Sequence, residues 1–228
     1  MARGDTFAEL VDEFRTIVVA RGHIIDAIVP PLAFLILYAL LSLQVAVWGA
    51  LGIAVVFTVA RLVRGETLGY ALGGLAATGV AILAARLSDR AAGYFLPSLV
   101  TGSLTVLACV VSVIVKWPLV AITSHVVRRW PIDWYRHPDV RSAYEEVTLA
   151  WALYFSIRLG LQSFLFFRNV ETTILGVVNV LLGWPATVLL LAVSYLYGTW
   201  RLQSLGGPSV EEFETGAAPP WESQQRGF

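Results

Sequence analysis

From Thr148 to Phe167 the chain reads TLAWALYFSIRLGLQSFLFF. Twenty mostly apolar residues, rising 1.5 Å each, match the hydrocarbon thickness of a bilayer. The run nevertheless carries Arg158 near its middle. A guanidinium at that depth costs about 2.5–3.5 kcal/mol on insertion scales, while each Leu, Ile or Phe returns about 0.3–0.6. The ten such residues here, Leu149, Leu153, Phe155, Ile157, Leu159, Leu161 and Phe164 through Phe167, outweigh it. The segment is therefore predicted to span a membrane, with its charge turned toward protein or water. At 3.6 residues per turn Tyr144, Trp151, Tyr154, Arg158 and Gln162 share one face, around which the other helices are expected to pack.

The rest of the chain is of the same kind. It is 57% hydrophobic and 14% charged, against about 25% charged in soluble domains, and its apolar residues fall in long blocks. That excludes an ordinary soluble core. The lone cysteine, Cys109, lies inside such a block, so no intrachain disulfide is available. Asp5, Glu9, Asp12, Glu13 and Arg15 interrupt the first 20 residues, so these are not expected to be a cleaved signal peptide.

An all-α polytopic membrane protein with six transmembrane helices follows. Residues 1–22 are predicted to carry an amphipathic interfacial helix, with Phe7, Leu10, Val11, Phe14, Ile17 and Val18 at helical spacing. Spans are expected at about 24–43, 45–63, 67–85, 94–115, 148–167 and 173–200, within a membrane domain of residues 23–204. The third span has Gly69, Gly73, Ala77, Ala81 and Ala85 four residues apart, a ladder that suits a packed interior helix. The sixth contains Gly183-Trp184-Pro185 and should kink or divide there. A weak repeat links Val55–Arg61, Val110–Lys116 and Val177–Gly183, which suggests three hairpins of one orientation.

Positive charge sets the threading. With the N-terminus inside, twelve Lys and Arg fall on the cytoplasmic side and three, Arg86, Arg90 and Arg168, on the other. Both termini are therefore expected in the cytoplasm. The cytoplasmic loop 116–146 should hold a short interfacial helix, with Trp117, Trp130, Trp134 and Tyr135 at headgroup level. Residues 205–228 are acidic, bear Gly and Pro, and are expected to be a disordered tail. The alternative for Trp221 and Phe228 is a docking role.

Arg158 admits two readings. In one it binds an anion or an anionic lipid head, or gates a pore, with Tyr154 and Gln162 beside it. Asp26, at the edge of the first span, could pair with it through water or Asn179. In the other it bonds carbonyls at a kink and fixes packing. The face of the sixth span with Thr172, Gly176, Asn179, Gly183, Ala186, Thr187, Ser194 and Tyr197 is likewise either a polar cavity wall or ordinary helix contact. Glu145-Glu146 suits the N-terminal dipole of the fifth span. The histidines His23, His125 and His137 are far apart, so no metal is expected, and no phosphate loop or Ser/His/Asp set is present. No cofactor, enzymatic reaction or nucleic-acid partner is expected; the basic residues lie along the membrane edge, where anionic lipid headgroups are their natural partners.

Three motifs carry a resemblance: Pro31-x-x-Phe34-x-x-x-Tyr38, Lys116-Trp117-Pro118-Leu119-Val120, and Ala150-Trp151-Ala152 with Phe155. Over Asp26–Leu202 the chain resembles an uncharacterised prokaryotic membrane-protein family, a domain of unknown function, and is distantly similar to intracellular septation protein A. Arg158 and Gly183-Trp184-Pro185 match the former more than the latter. The resemblance implies an inner-membrane protein linked to envelope synthesis or division, with no reaction. Two functions stay open: a small transporter or channel with an arginine-lined cavity, and a non-enzymatic envelope scaffold with membrane-protein partners or a second copy of itself.

Overall fold

The computed structural model describes residues 23–65, 68–88, 90–225 and 227–228. The amphipathic helix expected before residue 22 lies outside them. Among the described residues all regular structure is helical: α1 (His23–Leu40), α2 (Leu43–Val63), α3 (Leu68–Leu87), α4 (Leu96–Ile114), α5 (Leu119–Arg128), α6 (Pro138–Phe167), α7 (Thr172–Leu181), α8 (Trp184–Leu205) and α9 (Val210–Thr215). Short 3-10 turns lie at Ala91–Phe95 and Trp134–Arg136. The helices form two units, one of residues up to 97 with 165–184, the other of 98–164 with 185–228.

Among the described residues four stretches are long and apolar enough to cross a membrane: Leu43–Val63, Ala91–Ile114, Pro138–Phe167 and Thr172–Leu205. This is fewer than the six expected. The other two expected spans coincide with α1 and α3, whose apolar runs among the described residues are only Pro31–Leu40 and Leu72–Leu87. Leu104, Leu107, Val111 and Ile114 on α4 and Leu153, Ile157, Leu161 and Phe164 on α6 form exposed stripes. Water-facing surfaces rarely carry apolar patches of that extent, whereas acyl chains accept them, and the chain is thereby marked as a membrane protein.

In the first unit α1 lies against α2, α3 and α7, and the 3-10 turn at 91–95 packs on α3 and α7. Ser42 caps α2 by accepting from the Val45 amide. Close approach comes from small residues: Ala46, Ala50 and Ala54 are buried at four-residue intervals on α2. Gly176 of α7 meets Leu35 so closely that a Cβ there would sit 2.1 Å from a leucine methyl. Phe34 fills the centre, stacked on Tyr94 with centroids 4.0 Å apart and edge-on to Phe95. The ladder expected on the third span is only half used. Ala81 and Ala85 are buried, but Gly69, Gly73 and Ala77 are exposed, so α3 is not an interior helix. The alanines of α2 supply the stripe instead.

The second unit is organised by α6, whose 30 residues start at Pro138, a ring that suits a helix's first position. At 1.5 Å per residue α6 is about 45 Å long, longer than the hydrocarbon layer. Its first turns are therefore free to carry a protein core. Trp134, Tyr135, Val140, Ala143, Tyr144 and Val147 are buried there with Val120 and Ala121 of α5 and Leu202 of α8. Trp134 and Tyr135, expected at headgroup level, are thus interior. Protein satisfies their polar ends: the Trp134 indole donates to the Pro208 carbonyl (2.8 Å) and the Tyr135 hydroxyl meets Ser124 Oγ (3.1 Å). An aromatic so bonded gains nothing from an interface. The α4–α5 turn places Lys116 at φ 59, with Trp117 N donating to Ser112 O, and Ser112 Oγ accepts from Leu119 N.

The segment after residue 205 does not follow its composition. Ser209 and Glu212 form a reciprocal capping box that starts α9, and Gly216, at φ 67, ends it. Glu212 also accepts from the Glu222 amide at 2.7 Å, and Phe228 is buried on Tyr144. The helix between 173 and 200 divides: α7 stops at Leu181 and α8 begins at Trp184. A side chain at Gly183 would press on the Asn179 carbonyl, 2.8 Å from its Cβ.

Two outcomes are expected from this arrangement. Trp134→Ala should lower the stability of the detergent-solubilised protein by roughly 3–5 kcal/mol, read by thermal unfolding. The second concerns pH. Amide donors from Glu222 and Ser209 hold the Glu212 carboxyl below its usual range. Its contribution is complete above the ordinary glutamate pKa and is lost as pH falls below about 4. Hydrogen exchange at 209–222 should accelerate there, and Glu212→Gln should remove the pH dependence.

Candidate functional site

The polar face of α6 persists in the structure, and each residue on it meets a different partner. Tyr144 is buried, its hydroxyl 3.4 Å from Ser124 Oγ. Trp151 donates its indole N–H to Ser194 Oγ of α8 at 2.7 Å. Tyr154 lies edge-on to Phe155, with centroids 5.0 Å apart. Arg158 is half-buried, and Gln162, one turn on, is 2% exposed.

Arg158 and Gln162 border a cleft of about 80 Å³ between α6 and α4. Its other walls are Ser98, Thr101, Gly102 and Thr105 from α4, with Phe155 and Leu159 from α6. Such a volume holds two or three waters or one small ion. Thr105 donates to the Thr101 carbonyl at 2.8 Å and Thr101 to the Ser98 carbonyl at 3.2 Å. Bonding of this kind satisfies hydroxyls on a lipid-embedded helix while leaving their oxygens able to accept. Gly102 keeps the wall low, since a Cβ there would come only to 3.5 Å of Leu159.

Several charges elsewhere in the second unit are paired. Arg141 meets Glu145 at 3.0 Å and Arg136 meets Asp133 at 3.5 Å. Glu146 receives a fork from Arg201, Nε at 2.8 Å and Nη2 at 2.7 Å, and the Tyr197 hydroxyl donates to it at 2.7 Å. Among the described residues no carboxylate forms an ion pair with Arg158. A guanidinium offers five donors and no acceptor, and that of Arg158 borders the hydroxyl-bearing residues of α4 and Gln162.

The sequence-predicted residues divide accordingly. Arg158 and Gln162 share the cleft; Tyr154 is beside them on α6 but not in its walls. Asn179 belongs to the first unit and is not among the lining residues. Asp26 falls on α1 in that same unit, and its side chain is outside the described part. The hydroxyls of α4 were not foreseen, although Ser98, Thr101 and Thr105 recur at helical spacing on one face. Glu145 and Glu146 do not serve a helix dipole. The helix starts at Pro138, and the dipole's effect fades within the first turn. Three residues on the polar face of the sixth span make helix contacts: Gly176 with Leu35, Ser194 with Trp151, Tyr197 with Glu146.

Comparison with curated proteins returned no match, and comparison with solved structures returned none. A family model does match, under the description "Protein of unknown function (DUF3159)". Since that match runs over residues 20–202, nearly the whole helical part described above, the chain belongs to this family.

Proposed function

We propose that the protein is a small transporter or channel of the cytoplasmic membrane that takes a small anion at Arg158. The observation that carries this reading is the guanidinium facing a hydroxyl-lined cleft, with no carboxylate paired to it among the described residues. Gln162 adds an amide to the same wall. Six spans, with α1 and α3 counted among them, and both chain ends in the cytoplasm complete the proposal. The distribution of Lys and Arg, twelve against three, supports that threading. An ion held by a single guanidinium is bound weakly enough to leave again, which passage requires.

The competing reading is an envelope-biogenesis scaffold, related to septation as the sequence resemblance implies. Its support is the exposed apolar edge of loop 116–146, where Val126, Val127 and Ile132 face outward. It calls for a membrane-protein partner held through that loop, and for no flux.

Proteoliposomes loaded with chloride or nitrate separate the two. The wild-type protein should release either ion faster than empty vesicles. Arg158→Leu should return release to the empty-vesicle level, and Arg158→Lys should keep part of it. Gly102→Leu, which fills the cleft and leaves the charge, should slow release as well. Release that is unchanged by all three substitutions overturns the proposal.

A further inference from the structure

The segment after α8 carries Glu211, Glu212, Glu214 and Glu222 and few large apolar residues. Anionic lipid repels such a segment, so its aromatic residues, Phe213, Trp221 and Phe228, have to find places in protein. Phe228 does so on α6 and α8. Its ring stacks on Tyr144 with centroids 4.2 Å apart and planes 16° apart. Across from Tyr144 lies Gly198 of α8, where a Cβ would stand 2.3 Å from the ring. The preceding Gly227 takes φ +92, and a side chain there would collide with the Tyr195 hydroxyl at 2.4 Å. Two glycines, one in the wall and one in the segment, are therefore conditions of the fit.

We infer that α6 and α8 form a binding slot for an aromatic side chain carried on a peptide directly after a glycine, and that Gly227-Phe228 is its resident ligand. The slot is independent of whether anything crosses the membrane. It differs from the Arg158 cleft in every residue. The ring occupies the gap that Gly198 leaves, so the ligand acts as a wedge that sets the spacing of α6 and α8 at this level. Beside it Ser223 and Gln224 are buried, and the side-chain bond from Gln203 to Gln225 is exposed and 3.4 Å long. Burial of a phenyl ring shifts an equilibrium roughly tenfold to a hundredfold. Loss of the ring should therefore loosen the end of the segment while α9, capped by its own Ser209 and Glu212, stays in place.

The test uses the full chain in nanodiscs. In hydrogen exchange, Phe228→Ala should accelerate residues 221–228 about tenfold to a hundredfold and leave 209–216 unchanged. A fluorescent peptide of residues 217–228 should then bind the Phe228→Ala protein, seen by anisotropy, and should bind the wild type far less because its slot is filled. The same peptide with alanine in place of its phenylalanine should not bind, and neither should the native peptide bind a Phe228→Ala/Gly198→Leu protein, whose slot is plugged from α8. The alanine peptide keeps the test decisive even if the double variant folds poorly. Equal exchange in wild type and Phe228→Ala, or equal binding of the two peptides, overturns the inference.

Discussion

Helices in a bilayer are not driven together by water, because lipid tails solvate leucine as well as another helix does. Close approach has to come from residues that put nothing in the way. That constraint governs both units. In the first, Ala46, Ala50 and Ala54 clear a track on α2, and Gly176 admits Leu35. In the second, Gly198 admits the ring of Phe228. Large side chains gather at an aromatic centre in each unit, Phe34 with Tyr94 and Phe95 in one and Trp134 with Tyr135 and Tyr144 in the other, while many other large apolar residues line the outside.

Charge follows a complementary logic. Around the first turns of α6, acids and bases meet one another: Arg141 with Glu145, and Arg201 with Glu146. Water lies close there, so such pairs add little to stability and mostly fix geometry. Arg158 is further along the same helix, among leucines and phenylalanines, without an acid to meet among the described residues. The low dielectric that makes the charge expensive also magnifies its attraction for any anion that reaches the cleft.

The parts of this picture legible in sequence are those that one helix's period can report. The common face of Arg158 and Gln162 is of that kind. Which helix borders them is not, since pairing between helices leaves no mark in either period alone, and the hydroxyls of α4 therefore carry no sign in the sequence that they share a cleft with Arg158. Composition misled at residues 205–228, where local chemistry was the better guide: Ser209-x-x-Glu212 is a capping box, and Gly216 a helix stop. The tryptophan rule misled at Trp134, because it assumes that an indole N–H must reach headgroups, and here a backbone carbonyl answers it. The division at Gly183-Trp184-Pro185, by contrast, is where the sequence places it, since glycine there is required by the crowding of the Asn179 carbonyl.

The two polar links between α6 and α8 have a joint effect. One joins Trp151 to Ser194, the other Glu146 to Tyr197 and Arg201. They sit five residues apart on α6 and three and seven on α8, in opposite chain senses. Neither helix can slide along the other, or roll about its own axis, without breaking both at once. A shift by even one helical turn, about 5.4 Å, would leave Trp151 and Glu146 without these partners, so the two links hold the helices in a single register, like a pinned shaft.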